Sequence, residues 1–343
     1  ATSGSGMICH TLNPRLNPEQ FIYICNDAQD RAIFFDKTFM PLIIGTRDAL
    51  KTVEHVIFMG ARDEEVLTAI PDVIFFDELI ETGSENHTWP QISEDTPSSM
   101  CYTSGTTGNP KGVLYNHRST VLHTMAISLP DGLNLSAREA VLPVVPMFHV
   151  NAWGIPYATA MTGAKLILPG PNLDGQSLLN LIQKHRVTLA LGVPTIWQML
   201  LDAASNSGAK MESLSRNVIG GSAAAPSMIA AFSSDHDCET IHAWGMTETS
   251  PLGTTNQIKA KHLDLDADAM AHLRLSQGRP TFGVDLRVVD DKGNVLPNDG
   301  VSQGTLQCPG HWIVDTYFGR GESALTEDGW FDTGDVSTID ADG

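Results

Sequence analysis

Between residues 32 and 242, short apolar β-branched runs alternate with helix-patterned segments, and this alternation narrows the possible folds more than any other feature. Runs over 32–36, 56–59, 141–145, 164–168, 188–192, 218–219 and 240–242 read as buried strands. Between them, 175–185 and 194–204 carry a helical pattern, and Pro194 suits a first turn, where its missing N–H costs little. Such alternation predicts an α/β fold of parallel-rich β-sheets flanked by helices. Near Gly278 the character changes: 285–290 and 304–307 read as strands, and Asp291-Lys292-Gly293-Asn294 as a hairpin turn. We therefore expect α/β subdomains over 1–277 and a β-rich lobe over 278–343. The polar stretch 81–97 reads as a loop leading into the next strand, and there is no internal repeat.

Within this frame, Tyr102-Thr103-Ser104-Gly105-Thr106-Thr107-Gly108-Asn109-Pro110-Lys111-Gly112-Val113 packs hydroxyls, glycines and one lysine into a dozen residues. Glycines let backbone N–H groups approach an anion, and successive N–H groups form an anion-binding nest to which a lysine adds charge. The string is suited to a polyphosphate. It is not the common nucleotide P-loop, because Gly105 and Gly108 stand too close together and Gly112, not Ser or Thr, follows Lys111. A mobile Ser/Thr/Gly surface loop is the plainer reading of a loose cluster. The fixed order, followed by apolar Val113 and Leu114, argues for the phosphate-binding one.

Charge and cysteine usage narrow the classes further. Forty acidic residues against 21 Lys and Arg give a formal net charge of −19, with no basic stripe, so nucleic acid is not an expected partner. A polyanionic ligand would then need a local positive field. Cys9, Cys25, Cys101, Cys238 and Cys308 are scattered without CxxC spacing, which disfavours both a disulfide framework and a zinc site. No apolar run reaches 18 residues and no signal-peptide pattern is present, so no transmembrane segment is expected and a cytoplasmic location is the default. Oligomeric state stays open, a homodimer included.

Three further strings accompany the loop. They are Gly220-Gly221-Ser222-Ala223-Ala224, Trp244-Gly245-Met246-Thr247-Glu248-Thr249 and Gly329-Trp330-Phe331-Asp332-Thr333-Gly334-Asp335. With the loop, and in this order, they resemble the signatures of the adenylate-forming enzymes: acyl-CoA synthetases, luciferases and peptide-synthetase adenylation domains. The resemblance implies an ATP-dependent ligase that joins a carboxylate to the α-phosphate, releases pyrophosphate and passes the acyl group to CoA. It implies that Thr103, Ser104, Gly105, Thr106, Thr107, Gly108 and Lys111 hold phosphates, and that Thr103 and Glu248 help bind Mg²⁺. It further implies that Gly221, Ser222 and Ala223 frame the adenine, that Trp244, Gly245, Met246 and Thr247 flank it, and that Asp335 binds the ribose. Lys111, Thr247, Glu248 and His149 are the implied catalytic residues. Taken alone, Glu248 would read as a solvated helix-start carboxylate and Trp244 as a buried structural aromatic. Thr305 stands where the family commonly has Glu, a variation expected to matter little.

The implied substrate is a fatty acid. Pro146-Met147-Phe148-His149-Val150-Asn151-Ala152-Trp153-Gly154 is similar to a segment of fatty-acyl-CoA synthetases, which would set His149 near the reacting carboxylate and Trp153 as a gate on the acyl tunnel. A hydrogen-bonded core histidine and a packed aromatic are the alternatives. A branch acting on 3-methylthiopropanoate or another short acid shares this wording, and tail length is not legible. The resemblance also implies a chain lacking some N-terminal residues and the small cap domain with its catalytic lysine. A nucleotide-binding fragment of little turnover is thus a third reading.

Overall fold

The computed structural model of the chain describes residues 1–103 and 108–343. Two compact units are present: Ala1–Leu114 with Tyr317–Gly321, and Tyr115–Thr316 with Glu322–Gly343.

In the first unit, strands Ala32–Phe35, His55–Phe58 and Ile74–Phe75 pair in parallel. Their inward residues Ile33, Phe35, Val56, Phe58 and Phe75 form a core with Phe21 and Cys25 of the helix Pro18–Asp27. That helix starts where the Asn17 side chain accepts the Gln20 N–H at 2.8 Å, with Pro18 in its first turn. A second sheet sets Cys9–His10 parallel to Pro97–Tyr102, which neighbours Gly112–Asn116. Tyr317–Gly321 joins this unit because the Phe318 N–H donates to the Gly112 carbonyl at 2.8 Å.

Among the described residues, the second unit is built on a seven-stranded sheet. Its order is Arg279–Pro280, Leu252–Thr255, Glu239–Gly245, Arg216–Ile219, Leu189–Gly192, Ala140–Pro143, Lys165–Leu166. The last five pair in parallel and the first two join antiparallel. Helices Gly175–His185 and Pro194–Ser207 cover one face, where Leu178, Leu179, Ile182, Trp197 and Leu200 are buried. On the other face Val141, Leu189, Leu191, Val218 and Ile241 pack with Ala152, Ile155 and Ala158. The mostly parallel α/β fold agrees with the alternation in the sequence. The change of sheet falls slightly later than Gly278, since Arg279–Pro280 still belongs to the large sheet. A separate antiparallel sheet follows, made of Arg287–Val289, Gly304–Cys308 and Phe331–Ser337. The residues between its first two strands turn as the Asp-Lys-Gly-Asn string suggests, with the Asp290 N–H donating to the Asn294 carbonyl at 3.0 Å.

One segment departs from anything the sequence pattern suggests. Val150, Asn151, Ala152 and Trp153 have φ of 49°, 50°, 51° and 58°, and Gly154 follows at 74°. This is a left-handed turn of four side-chain-bearing residues, each costing about 1–2 kcal/mol relative to right-handed helix. Burial holds it in place: Val150, Asn151 and Ala152 are all buried. Gly154 is required where it stands, because an added Cβ would lie 2.9 Å from the His123 ring. His123 itself is buried, accepts the Leu252 N–H at Nε2, and is pushed down to a pKa of about 3 by desolvation, so it is neutral.

Candidate active site

The second unit contains a cavity that opens to solvent at the carboxyl ends of its parallel strands, where open α/β sheets place ligands. Its apolar wall includes Ile127, Leu133, Leu191 and Val218. Three of the strings singled out above meet here: His149 and Trp153 from the left-handed segment, Gly220 and Gly221 from the turn after Arg216–Ile219, and Trp244, Gly245 and Met246 from the end of Glu239–Gly245.

The strand-to-turn junctions explain the meeting. Gly220 must be glycine, because a Cβ there would lie 2.8 Å from the Trp153 indole and 3.0 Å from the Ala243 carbonyl oxygen. Gly221 has φ 79° and turns the chain back. Ser222 and Ala223 follow, exposed and outside the cavity lining. The turn is pinned from beneath by His242, whose Nε2 accepts the Ala224 N–H at 3.1 Å while Nδ1 bonds the Arg274 carbonyl at 3.0 Å. Burial lowers the His242 pKa, consistent with a neutral ring that accepts on one side and donates on the other. Nothing in the strand-like run around it marks His242 in the sequence as a support of the turn.

Gly245 sits at an irregular step in strand pairing. Trp244 faces Thr254 while Gly245 faces Leu252, so Gly253 is passed over. A Cβ on Gly245 would meet the Pro251 carbonyl oxygen at 1.9 Å, which only glycine tolerates. The chain then enters the buried turn Thr247–Thr249. The Tyr115 hydroxyl donates to the Thr247 carbonyl at 2.8 Å, and the Val314 N–H to the Glu248 carbonyl at 2.8 Å. Glu248 is only 7% exposed, which removes it from the class of solvated helix-start carboxylates.

His149 is exposed, yet the mass of protein behind it desolvates the imidazole and lowers its pKa. A neutral imidazole at the cavity wall can donate one hydrogen bond to a carboxylate oxygen.

Asp335 does not line the cavity itself. It is tied to it by Trp244, whose indole N–H donates to Asp335 Oδ2 at 2.7 Å. The string around it is locked locally: Thr333 Oγ1 donates to the Leu306 carbonyl at 2.8 Å and accepts the Asp335 N–H at 3.1 Å. Trp330 lies under the Arg287 guanidinium at 4.2 Å, and Arg287 also clasps Asp328, which holds that carboxyl well below its usual range, at about 2.

Thr103, Gly108 and Lys111 belong to the first unit. Thr103 and Lys111 close the base of the glycine-rich loop: the Thr103 N–H donates to the Lys111 carbonyl at 3.0 Å, and the Lys111 N–H to Thr103 Oγ1 at 3.1 Å. The Lys111 ammonium lies 4.6 Å from the centre of the Tyr317 ring, a cation–π contact. Ser104, Gly105, Thr106 and Thr107 lie outside the described residues.

Among the described residues, no group of three His, Cys, Asp or Glu side chains could hold a metal ion, and no helix is long and apolar enough to cross a membrane.

The 3-methylmercaptopropionyl-CoA ligase of Ruegeria lacuscaerulensis is 58% identical over 343 residues, covering 100% of this chain and 64% of that protein. A medium-chain-fatty-acid–CoA ligase of Ectopseudomonas oleovorans is 53% identical over 343 residues, covering 100% of this chain and 63% of that protein. The chain thus spans somewhat under two thirds of the length of these relatives. Among solved structures, the anthranilate CoA ligase AuaEII in complex with anthranoyl-AMP superposes with a TM-score of 0.85 at 24% identity, over 98% of this chain and 62% of that one, a likeness of fold. The sequence pattern of the AMP-binding enzymes matches residues 1–318, and the chain belongs to that family.

Proposed function

We propose that this chain carries the nucleotide- and acid-binding part of an AMP-forming acid–CoA ligase. In that reaction a carboxylate oxygen of the acid attacks the α-phosphorus of ATP, the bond to the β-phosphate bridge breaks, and pyrophosphate leaves. The CoA thiolate then attacks the acyl carbon of the adenylate, and AMP leaves. One observation carries the reading: His149 and Trp153 share a single cavity with Gly220, Gly221 and Trp244, so an acid and the base of a nucleotide would meet at one wall.

The residues fit these ligands. Gly221 offers open backbone to a flat ring, and Trp244 lines the same cavity. Asp335 offers an acceptor for ribose hydroxyls. In the first unit, Thr103 and Lys111 carry a hydroxyl and an ammonium suited to phosphate. Glu248 supplies one carboxylate for Mg²⁺. That cation prefers oxygen ligands and keeps several waters and substrate phosphates in its shell, so one or two protein ligands suffice. When bound, Mg²⁺ would neutralise charge on the polyphosphate.

The apolar wall suits an uncharged, unbranched tail, and the Trp153 indole packed on Gly220 limits its length. We take the substrate to be a short- or medium-chain acid, with fatty acids as the main class. The 58% identity to a 3-methylmercaptopropionyl-CoA ligase supports 3-methylthiopropanoate as the second reading. Both are decided on the full-length protein by pyrophosphate release across acids of roughly three to eighteen carbons, since a methylene that does not fit changes kcat/KM by about 10- to 200-fold. The expected optimum lies at the short end, and Trp153→Ala should move it to longer acids. A clear preference for 3-methylthiopropanoate over its isostere pentanoate would select the second reading. ATP binding with no acid-dependent pyrophosphate release would sink both.

A further inference from the structure

The hydrogen bond between Trp244 and Asp335 joins two residues 91 positions apart, each on an irregular stretch of strand. On the Trp244 side, pairing steps from Trp244↔Thr254 to Gly245↔Leu252 and skips Gly253. Bulges of this kind re-aim a side chain. The ring of Trp244 lies over Gly253, where a Cβ would stand 2.3 Å from Cζ3, and it packs against the cluster of Val288, Leu306 and Ile339. A third edge lines the cavity. The indole is therefore held on two sides, and its N–H is a fixed donor.

On the Asp335 side, pairing runs from Thr305↔Val336 to Gln307↔Asp332. One strand advances two residues, from 305 to 307, while the other advances four, from 332 to 336. Asp335 sits in the surplus, at a bend where Gly334 has φ 74°. It is exposed, so its side chain would otherwise be free to rotate.

We propose that Trp244 is a positioning residue for Asp335. Its indole N–H presets the carboxylate that accepts the ribose hydroxyls, an assignment that rests on the nucleotide-site reading above. A carboxylate offers about four lone-pair sites. With Oδ2 held by the indole, Oδ1 and the remaining lone pair of Oδ2 face the ligand without a rotamer search. This role differs from stacking on the adenine, because it acts through the N–H and is felt only by the ribose.

Phenylalanine at position 244 keeps the aromatic face and removes the donor, which separates the two roles. The experiment is calorimetric binding of ATP and of 2′,3′-dideoxyATP to the full-length protein. The native protein should prefer ATP by about tenfold or more, as expected for hydroxyls bonded to a charged acceptor. In Trp244→Phe that ratio should fall about three- to tenfold, beyond any loss from the smaller ring that both nucleotides share. Asp335→Ala should abolish the ratio, and adding Trp244→Phe to it should change nothing more. Equal weakening of both nucleotides in Trp244→Phe would overturn the proposal and leave Trp244 with stacking or packing alone. A native ratio near one, or one that survives Asp335→Ala, would instead remove the ribose assignment itself, and this inference with it. A measurement independent of Trp244→Phe folding is the indole N–H resonance of Trp244, which should move upfield in Asp335→Ala. An unmoved resonance would show that the bond is not formed in solution.

Discussion

Replacing Glu248 with Gln in the full-length protein should lower the rate of adenylate formation about 10²–10³-fold, the usual loss when one preorganised charge contact to a transition state is removed. The substitution keeps the shape, removes the charge and replaces one acceptor oxygen with an NH₂ donor. The backbone around it will not rearrange easily, since Tyr115 and Val314 hold the Thr247 and Glu248 carbonyls. An effect on the transfer step and not on acid binding should leave KM for the acid nearly unchanged. Single-turnover pyrophosphate release measures the first quantity and steady-state kinetics the second. An unaltered adenylation rate would remove Glu248 from the reacting centre.

A second large effect is expected at Gly245. In Gly245→Ala the new Cβ would overlap the carbonyl oxygen and carbon of Pro251, at 1.9 and 2.8 Å, and both are backbone atoms. No side-chain rotation relieves such a contact, so strand Glu239–Gly245 or the segment after it must shift. The stability loss should reach about 3 kcal/mol, at the upper end for overpacking, as read by denaturant unfolding. ATP affinity should fall with it, since Trp244 and Met246 flank the altered residue in the cavity wall. Gly45→Ala is the control. It lies in the helix Met40–Thr46 with nothing within 4 Å of a new Cβ, and should be neutral or slightly stabilising. Similar stability for the two variants would mean that the close approach at Gly245 is not a real constraint.

Local pattern carried the fold well where the chain is regular. The helix expected at 175–185 is Gly175–His185, started by the Asp174 side chain accepting the Ser177 N–H. The helix expected at 194–204 runs on to Ser207, because it ends only at Gly208, whose φ of 64° stops it. The run at 164–168 pairs only over Lys165–Leu166, at the sheet edge, where a single neighbour supplies hydrogen bonds. The run at 240–242 extends to Gly245 because its end finds an antiparallel partner in Leu252–Thr255, a pairing set by tertiary contact. Of the cavity lining, Gly220, Gly221, Trp153 and Trp244 were legible through the family resemblance of the strings that hold them. His242, Gly253 and the Trp244 N–H were not. Each acts on a residue distant in sequence or across a strand, and no local spacing encodes that.

The left-handed turn at Val150–Trp153 inverts the ordinary rules of substitution. In a right-handed helix interior, glycine in place of alanine costs about 1 kcal/mol. At Ala152, with φ 51°, glycine removes the steric objection to the native backbone. Ala152→Gly should therefore lose less stability than the same exchange at Ala203 in the helix Pro194–Ser207, or even gain some, when both are followed by thermal unfolding. A mirror-image alanine at 152, introduced by chemical ligation, would be better still: there the right enantiomer is the one that biology does not use.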